Sequence, residues 1–372
     1  MIDTLSFYTK LCKAGVGLFA GVPDSLLSSL SACLMEHAPQ NSHIITANEG
    51  NAVALAAGYH LGTGGLGAVY LQNSGLGNTV NPLVSLTDAE VYRIPLLLII
   101  GWRGEPGVKD EPQHVKQGRI TLGQLDLLEI PYQIVDSDSD IDAVIQKTME
   151  DIQKTGAPVA LVVKKNAFTP YSFTGSAERR ATLSREEALE GLLELSGDAL
   201  IVSTTGKTSR EVYELRVARQ EEQRDFLTVG AMGHTASIAL GVALGKPDKR
   251  VVCLDGDGSL LMHLGALPII ASLSPTNLVH VLLNNASHES VGGQPTICGQ
   301  IDFEAISKGS GYKHYFRADS PETLQMAWQA IEGTDGPILL EVIITASSRT
   351  DLGRPSSTPE ENKQAFVKAV NR

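Results

Sequence analysis

The feature that most constrains the fold of this chain is a series of short, almost uninterrupted runs of Val, Ile and Leu, such as Pro95–Ile100 and Pro158–Val163. Runs of this kind are typical of parallel strands covered on both faces, because a half-exposed strand would alternate polar and apolar residues. Amphipathic stretches such as Ser25–Glu36 and Asn48–Leu61 lie between the runs and are typical of helices. The alternation predicts an α/β protein built on doubly wound parallel sheets.

This rhythm runs twice through the 372 residues, a length that suits two domains. The segment around Pro170 and Gly175 has no periodicity and is typical of a linker. Ser184 then begins S-R-E-E, which predicts a helix-capping box with Glu187. We therefore predict a first domain over 1–166, a linker over 167–183, a second domain over 184–372 and no central domain. The predicted strands are Val16–Phe19, His43–Thr46, Ala68–Leu71, Pro95–Ile100 and Pro158–Val163, then Ala199–Ser203, Phe226–Val229, Arg250–Leu254, Leu278–Leu283 and Ile338–Ile343.

Charge and cysteine usage limit the partners of the chain. Thirty basic and 42 acidic residues give a net charge of −12, which argues against nucleic acid or an anionic membrane as a partner. The four cysteines show no C-x-x-C spacing, so a disulfide or cysteine–metal framework is not expected. No apolar run reaches the roughly 18 residues of a membrane span. We expect a reduced, cytoplasmic protein in which an anionic substrate needs a local basic pocket.

Two glycine motifs do not fit the nucleotide sites that they suggest. Gly62–Gly67 spells G-x-G-x-x-G, but a predicted helix precedes it and a predicted strand follows, the reverse of a dinucleotide fingerprint. Gly206–Thr208 resembles the end of a P-loop, yet Ile201 stands where that motif needs its first glycine. The segment still offers helix amides, hydroxyls and Lys207 to an anion. A nucleotide-binding regulator is therefore a weaker alternative.

The strongest signal is G-D-G-S at Gly256–Ser259, followed 28 residues after Asp257 by Asn285. Both polar residues come just after a predicted strand, with one predicted helix, Leu260–Leu273, between them. Parallel neighbouring strands would bring the two side-chain oxygens together at the carboxyl edge of the sheet. Mg²⁺ prefers such oxygen ligands and often shares them with phosphate groups. The glycines and the following helix start suit a diphosphate, so the pattern predicts a metal and diphosphate site.

This pattern resembles the signature of thiamine-diphosphate-dependent enzymes. Glu49, in A-N-E-G-N-A, resembles the glutamate that activates the aminopyrimidine ring of the cofactor, although alone it would be a helix-start acid. Gly230 and Met232, in G-A-M-G, resemble the segment that supports the bent cofactor, although a lone Met would be core. The resemblance implies cofactor contacts from Glu49, Gly206, Gly230, Met232, Gly258, Ser259 and Asn285, and a divalent cation, Mg²⁺ first, on Asp257, Asn285 and Ser287.

Whole segments and the two-domain form resemble the phosphonopyruvate decarboxylase family, to which sulfopyruvate decarboxylases are related. This resemblance implies a pyrimidine-binding and a diphosphate-binding domain, a homo-oligomer of at least two chains, and decarboxylation of 3-phosphonopyruvate to phosphonoacetaldehyde in phosphonate biosynthesis. Sulfopyruvate decarboxylase, an acetolactate-synthase-like carboligase and a silent subunit remain alternatives. Ser356 and Ser357 stand where threonines are expected. The segments that carry the resemblance are Gly21–Leu27, Gln72–Asn78, Gly101–Gly107, Asp110–His114, Thr204–Glu211, Asn284–Thr296 and Arg354–Lys363.

The remaining predicted roles are proton transfer and anion binding. Asp24 lies where the resemblance puts an acid, although an Asp before Ser-Leu-Leu would also cap a helix. His114 and His288 are alternative proton donors because histidine titrates near neutral pH. Arginine and lysine suit a phosphonate group. The predicted substrate-binding residues, with Lys207 and Arg103 ranked first, are Arg103, Lys207, Arg210, Arg349 and Arg354.

Overall fold

The computed structural model describes residues 1–173 and 181–372. The chain forms two compact units, Met1–Ser176 and Ala177–Arg372, and each contains a six-stranded parallel sheet. The middle of the predicted linker, including Gly175, lies outside the described residues. Its described ends are packed: Phe168 forms a parallel bridge with Ile2, and the Leu183 carbonyl accepts a hydrogen bond from the Thr345 amide.

The first unit alternates strands and helices along the chain. Its strands are β1 (Val16–Gly21), β2 (His43–Ile45), β3 (Leu66–Gln72), β4 (Leu96–Gly101), β5 (Tyr132–Val135) and β6 (Val159–Val163). Its helices are α1 (Thr4–Lys13), α2 (Ser28–His37), α3 (Glu49–Thr63), α4 (Leu76–Pro82), α5 (Pro112–Leu127) and α6 (Ile141–Thr155).

The second unit repeats the alternation and adds a short hairpin. Its strands are β7 (Leu200–Ser203), β8 (Phe226–Leu227), β9 (Val251–Gly256), β10 (Leu278–Asn284), β11 (Ser287–His288), β12 (Gln294–Pro295), β13 (His314–Ala318) and β14 (Ile338–Ile343). Its helices are α7 (Arg185–Leu195), α8 (Lys207–Ala218), α9 (Thr235–Gly245), α10 (Asp257–Met262), α11 (Ala266–Leu273), α12 (Phe303–Ser310), α13 (Pro321–Ile331) and α14 (Pro359–Val370). In the part of the chain that the structure describes, every helix is too short or too polar to cross a membrane.

Both large sheets have the same strand order. The first runs β2-β1-β3-β4-β6-β5, and the second, read from its β8 edge, runs β8-β7-β9-β10-β14-β13. Strand order reverses between β1 and β3 and again between β7 and β9. Loops at the carboxyl ends of the strands beside such a reversal are where doubly wound sheets bind ligands. The predicted fold class is confirmed.

Burial explains the apolar runs in the sequence. Every residue of β4, β6, β10 and β14 is buried. Separate apolar clusters cover the two faces of each sheet. Each fully buried Val, Leu or Ile side chain contributes about 1.5–3 kcal/mol to stability, so a strand covered on both faces has little use for polar residues.

Two predictions from local sequence signals are confirmed, and one is wrong. The helix–strand turn at Gly62–Gly67 is confirmed, because α3 ends at Thr63 and Gly64 adopts a left-handed φ of 73° before β3. The capping box of Ser184 and Glu187 is also confirmed. The single predicted helix over Leu260–Leu273 is wrong. The chain leaves helical geometry at His263, with φ −136° and ψ 51°, and α11 starts at Ala266.

Candidate active site

The carboxyl edge of the first sheet brings together the loops that follow β1, β3 and β4. The Asn73 side chain, just after β3, donates to the Arg103 carbonyl at 2.8 Å. A Cβ placed on Gly101, the last residue of β4, would lie only 2.0 Å from Asp24 Oδ2, in the loop after β1. Three of the predicted functional segments therefore share one edge of this sheet.

Glu49 is the first residue of α3, and it is buried rather than solvent-exposed. Its carboxylate accepts a hydrogen bond from Asn78 Nδ2 at 2.8 Å. A Cβ on Gly75 would lie 2.4 Å from Glu49 Oε1, so any side chain at this position would displace the Glu49 carboxylate. Burial raises the pKa of Glu49, and the hydrogen bond from Asn78 opposes that rise. A buried carboxyl with a raised pKa is suited to sharing a proton with a ligand atom.

Asp24 is fully buried, and it is not the N-cap residue of helix α2. Helix α2 begins at Ser28 with Leu27 at the N-cap position. Asp24 Oδ2 accepts instead from the Leu26 amide at 3.2 Å, while Oδ1 has no hydrogen-bond partner in the described residues. Burial raises the pKa of Asp24 to about 6, against the lowering effect of Arg103 and of nearby backbone amides. The side chain can therefore carry a proton close to neutral pH.

Arg103, after β4, is held by a carboxylate. Its Nε and Nη2 atoms donate to the two Asp110 oxygens at 2.8 and 2.5 Å, and Nη1 donates to Ser25 Oγ at 2.7 Å. Asp110 also accepts from the Gly104 amide at 2.8 Å. This bidentate pair cancels the charge of Arg103, so an anionic ligand would have to compete with Asp110 for the guanidinium.

The two candidate histidines are neutral at physiological pH. His114, in the first turn of α5, is buried, and its Nδ1 has no partner in the described part of the chain. Burial, reinforced by the charge of Arg103, lowers the pKa of His114 to about 4. Burial also lowers the pKa of His288 to about 4. Either ring would donate a proton from neutral imidazole only reluctantly, which favours Asp24 as the acid.

In the second unit, the two halves of the strongest sequence motif end neighbouring strands. β9 and β10 pair in parallel, with Gly256 opposite Leu283. Asp257 comes directly after β9 and Asn285 directly after β10, and both are buried. Asp257 accepts from the Gly258 amide and from Thr296 Oγ1, both at 2.8 Å. Asn285 Oδ1 accepts from the Ser287 amide at 2.9 Å.

Loops after β7, β8 and β9 meet at Ser259. The Ser259 hydroxyl accepts from Thr204 Oγ1 at 3.2 Å and from the Gly233 amide at 3.1 Å. Gly206, at the N-cap of α8, has a φ of 94°, and Gly230 has a φ of 74°, which favour glycine. Buried hydroxyls and amides at this edge are groups that suit phosphate oxygens.

Gly258 lies in a tightly packed part of this edge. A Cβ there would be 3.0 Å from Cε1 of the His288 ring and 3.5 Å from Cε of Met232. The backbone of the G-D-G motif, the predicted apolar wedge and a predicted proton donor are therefore neighbours. The sequence interval between Met232 and His288 gave no sign of this contact.

Both halves of the chain match known protein families. Residues 6–126 match the thiamine pyrophosphate enzyme N-terminal TPP binding domain, and residues 204–342 match the thiamine pyrophosphate enzyme C-terminal TPP binding domain. The chain belongs to the thiamine pyrophosphate enzymes.

Curated relatives extend along nearly the whole of this thiamine pyrophosphate enzyme. A phosphonopyruvate decarboxylase of Streptomyces viridochromogenes is 39% identical, over 98% of this chain and 94% of its own length. A phosphonopyruvate decarboxylase of Streptomyces hygroscopicus is 38% identical, over 98% and 93%. A sulfopyruvate decarboxylase of Methanosarcina acetivorans is 27% identical, over 96% and 95%.

The donor set of the enzyme fits the groups that its family implies. Asp257, Asn285 and Ser287 offer oxygen atoms, which suit Mg²⁺ or Ca²⁺ better than a thiophilic metal. The P-loop alternative does not fit, because Ile201 is a fully buried residue inside β7 and cannot belong to a phosphate loop.

Lys207 belongs to a charge cluster that the sequence did not reveal. Its Nζ donates to Glu289 Oε1 at 2.8 Å and to Ser348 Oγ at 2.7 Å. Arg185 donates to Glu289 Oε2 at 2.6 Å and binds Glu211 through two further donors at 2.7 and 2.8 Å. Two cations and two carboxylates leave this cluster neutral. The predicted role of Lys207 in anion binding therefore requires the ligand to compete with Glu289.

The other predicted basic residues differ in their surroundings. Arg349 is in contact with the carboxylates of Glu186, Glu214 and Asp351. Arg354 is exposed in the loop before α14. Arg210, in the first turn of α8, is partly buried, and no carboxylate of the described residues is paired with it. Of these three, Arg349 has its charge most directly compensated, because three carboxylates contact it.

Proposed function

We propose that this enzyme decarboxylates 3-phosphonopyruvate to phosphonoacetaldehyde and CO₂ in phosphonate biosynthesis, as a homo-oligomer in the cytoplasm. The observation that carries the proposal is the 39% identity to a phosphonopyruvate decarboxylase over almost the entire length of both chains. The identity to a sulfopyruvate decarboxylase is lower over a similar length, so sulfopyruvate is the second candidate substrate.

The proposal assigns the cofactor and metal to residues at the two sheet edges. Glu49, Gly230 and Met232 would hold the ring portion of thiamine diphosphate. Gly206, Gly258, Ser259 and Asn285 would hold its diphosphate, and Asp257, Asn285 and Ser287 would hold a divalent cation such as Mg²⁺. When bound, thiamine diphosphate supplies an electron sink for the electrons left behind by the departing carboxylate.

Two carboxyl groups of the first unit handle protons in this scheme. Glu49 would hold a proton against a ring nitrogen of bound thiamine diphosphate, a role supported by its burial and raised pKa. Asp24 would supply the proton that takes the place of CO₂ in the aldehyde product, which its pKa of about 6 and its unpartnered Oδ1 in the described residues support. Neutral His114 and His288 would then shape the pocket rather than supply its acid.

Selectivity in this proposal comes from the basic residues. With pyruvate bound, Arg103 and Lys207 would keep their carboxylate partners Asp110 and Glu289. The loss of a counter-charge would then fall on Arg210, which is paired with no carboxylate of the described residues. An unsatisfied buried polar group costs about 1–3 kcal/mol, and more when charged. We therefore expect at least tenfold discrimination against pyruvate. A sulfonate has the same shape but one charge less, so discrimination against sulfopyruvate rests on charge and on the number of hydrogen-bond donors that face the group.

The test compares kcat/KM for 3-phosphonopyruvate, sulfopyruvate and pyruvate, with CO₂ release as the readout and with or without thiamine diphosphate and Mg²⁺. Phosphonopyruvate should be the best substrate, and turnover should require both additions. Glu49→Gln is the matched control: it keeps the shape of the side chain and should bind the cofactor yet turn over little. A preference for sulfopyruvate would establish the second candidate, and a preference for pyruvate would contradict both.

A further inference from the structure

One partly buried carboxylate of the second unit contacts three donors at the proposed metal loop. Glu289 follows the hairpin strand β11, and its side chain is 12% exposed. Its Oε1 accepts from Lys207 Nζ at 2.8 Å. Its Oε2 accepts from Arg185 Nη1 at 2.6 Å and from Asn285 Nδ2 at 3.4 Å.

The contact with Asn285 at 3.4 Å and the hydrogen bond from the Ser287 amide at 2.9 Å agree on the direction of the Asn285 amide. An asparagine side chain has an oxygen at one end and an NH₂ group at the other, and its neighbours decide which end faces a ligand. The ionised Glu289 can only accept hydrogen bonds, so it selects the NH₂ end. Asn285 Oδ1 then lies on the other side, where it accepts from the Ser287 amide and retains a second lone pair for a cation.

Glu289 is itself held in place from behind. Arg185 is 6% exposed, and two of its donors bind Glu211, which is 1% exposed. Its third donor binds Glu289. Because the cluster of Arg185, Glu211, Lys207 and Glu289 is neutral as a whole, its burial leaves no uncompensated charge. This neutral cluster, in which Arg185 and Glu211 are buried and Lys207 is 26% exposed, holds Glu289 beside the Asn285 side chain through several hydrogen bonds.

We propose that Glu289 is a positioning residue that holds the Asn285 amide with its oxygen toward the divalent cation. This inference rests on the proposed metal role of Asp257 and Asn285. Outer hydrogen-bond partners commonly orient metal ligands, and their removal lowers metal affinity by about 10- to 100-fold. Neither the residue type of Glu289 nor its spacing from other motifs in the sequence assigns it such a role.

The test measures Mn²⁺ affinity of the full chain with saturating thiamine diphosphate, using the electron paramagnetic resonance signal of free Mn²⁺. Glu289→Met keeps the length of the side chain and removes the acceptor, so we expect affinity to fall about 10- to 100-fold. Glu289→Gln should bind Mn²⁺ more tightly than Glu289→Met. Its oxygen can still accept from Arg185 and Asn285, while its NH₂ group cannot accept from Lys207, which keeps its hydrogen bond to Ser348.

Glu211→Gln is the matched control, because it perturbs the same cluster through Arg185 without touching Asn285. Its Mn²⁺ affinity should not change. Equal losses in Glu211→Gln and Glu289→Met would overturn the inference, since the effect would then come from the cluster as a whole. The inference would also be overturned if Glu289→Gln bound Mn²⁺ as weakly as Glu289→Met. If Glu289→Met lacks the thermal unfolding transition of the unmodified chain, Glu289→Ala takes its place.

Asp257→Ala separates this inference from the proposed function. If Asp257→Ala binds Mn²⁺ as tightly as the unmodified chain, the proposed metal site is wrong. If Asp257→Ala loses affinity while Glu289→Met retains it, the metal site stands and only the positioning role fails. In an Asn285→Ala background, adding Glu289→Met should bring little further loss, because the two changes then act through one contact.

Discussion

Replacing Asp24 with asparagine should change how the stability of the first unit depends on pH. Asp24 is fully buried, and its pKa in the folded chain is about 6, against 3.8 for the free side chain. The folded chain therefore binds a proton more tightly than the unfolded chain does. Stability falls as pH rises from the unfolded toward the folded pKa, because ionisation must then occur in the buried site.

The size of the effect follows from the two pKa values of Asp24. A difference of about two pKa units corresponds to about 3 kcal/mol of lost stability once the pH is well above both values. Between about pH 5 and about pH 8 the unmodified chain should lose about 1.4 kcal/mol relative to Asp24→Asn. An asparagine does not titrate, so any effect of the amide itself on the free energy of unfolding is the same at both pH values.

Urea unfolding followed by tryptophan fluorescence can isolate this unit. The chain has two tryptophans, of which Trp102 is buried in the first unit and donates to the Gly118 carbonyl at 2.8 Å. Trp328 lies in the core of the second unit. In a Trp328→Phe background the remaining signal reports the first unit, and the chains with and without Asp24→Asn are compared at fixed protein concentration.

A stability difference between the unmodified chain and Asp24→Asn that is equal at about pH 5 and about pH 8 would refute this reasoning. It would mean that Asp24 titrates as an ordinary exposed carboxyl does. The proposed proton-donor role would then lose its physical basis, because a side chain fully ionised at neutral pH has no proton to give.

Three further predictions test the sites by other routes. Gly75→Ala should lower turnover at least tenfold by displacing Glu49 Oε1, whereas Gly77→Ala, which meets no neighbouring atom within 4 Å, should not. Thr296→Val removes the hydroxyl that donates to Asp257 and should weaken Mn²⁺ binding about tenfold in the same titration. Mixing inactive Glu49→Gln and Asp257→Ala chains should restore some activity, provided that subunits exchange and that each active site takes residues from two chains. Hybrid oligomers that are confirmed by mass and remain inactive would contradict a site shared between chains.

The sequence predicted the elements that obey local rules. Strands buried on both faces leave continuous apolar runs, and β4, β6, β10 and β14 could be found from such runs alone. β5 and β13 were missed because they are edge strands whose partly exposed residues, Y-Q-I-V and H-Y-F-R-A, carry no such run. The break between α10 and α11 was missed although Gly265 and Pro268, two residues that disfavour a continuous helix, lie inside Leu260–Leu273 and mark its position.

The candidate site also has some features that the sequence predicts and others that it does not. Asp257 and Asn285 could be placed together because each ends a strand and parallel neighbours end at the same edge. The partners that set their chemistry could not. Thr296 lies 39 positions from Asp257. Glu289 is only four positions after Asn285, and Asp110 is seven after Arg103, but outside regular helices and strands such spacings do not determine which side chains meet. The raised pKa of Asp24 likewise depends on burial by other segments.

The shared strand order of the two sheets has an evolutionary consequence. Matching orders of six strands are what the duplication of an ancestral domain would leave, with β9 and β10 as the counterparts of β3 and β4. In the first copy the loops after this strand pair carry Gly75 and Arg103, and in the second copy they carry Asp257 and Asn285. In the proposed scheme one strand order therefore serves two chemistries: the proton-handling carboxyls Asp24 and Glu49 follow β1 and β2 of the first sheet, and the oxygen ligands Asp257 and Asn285 follow β9 and β10 of the second.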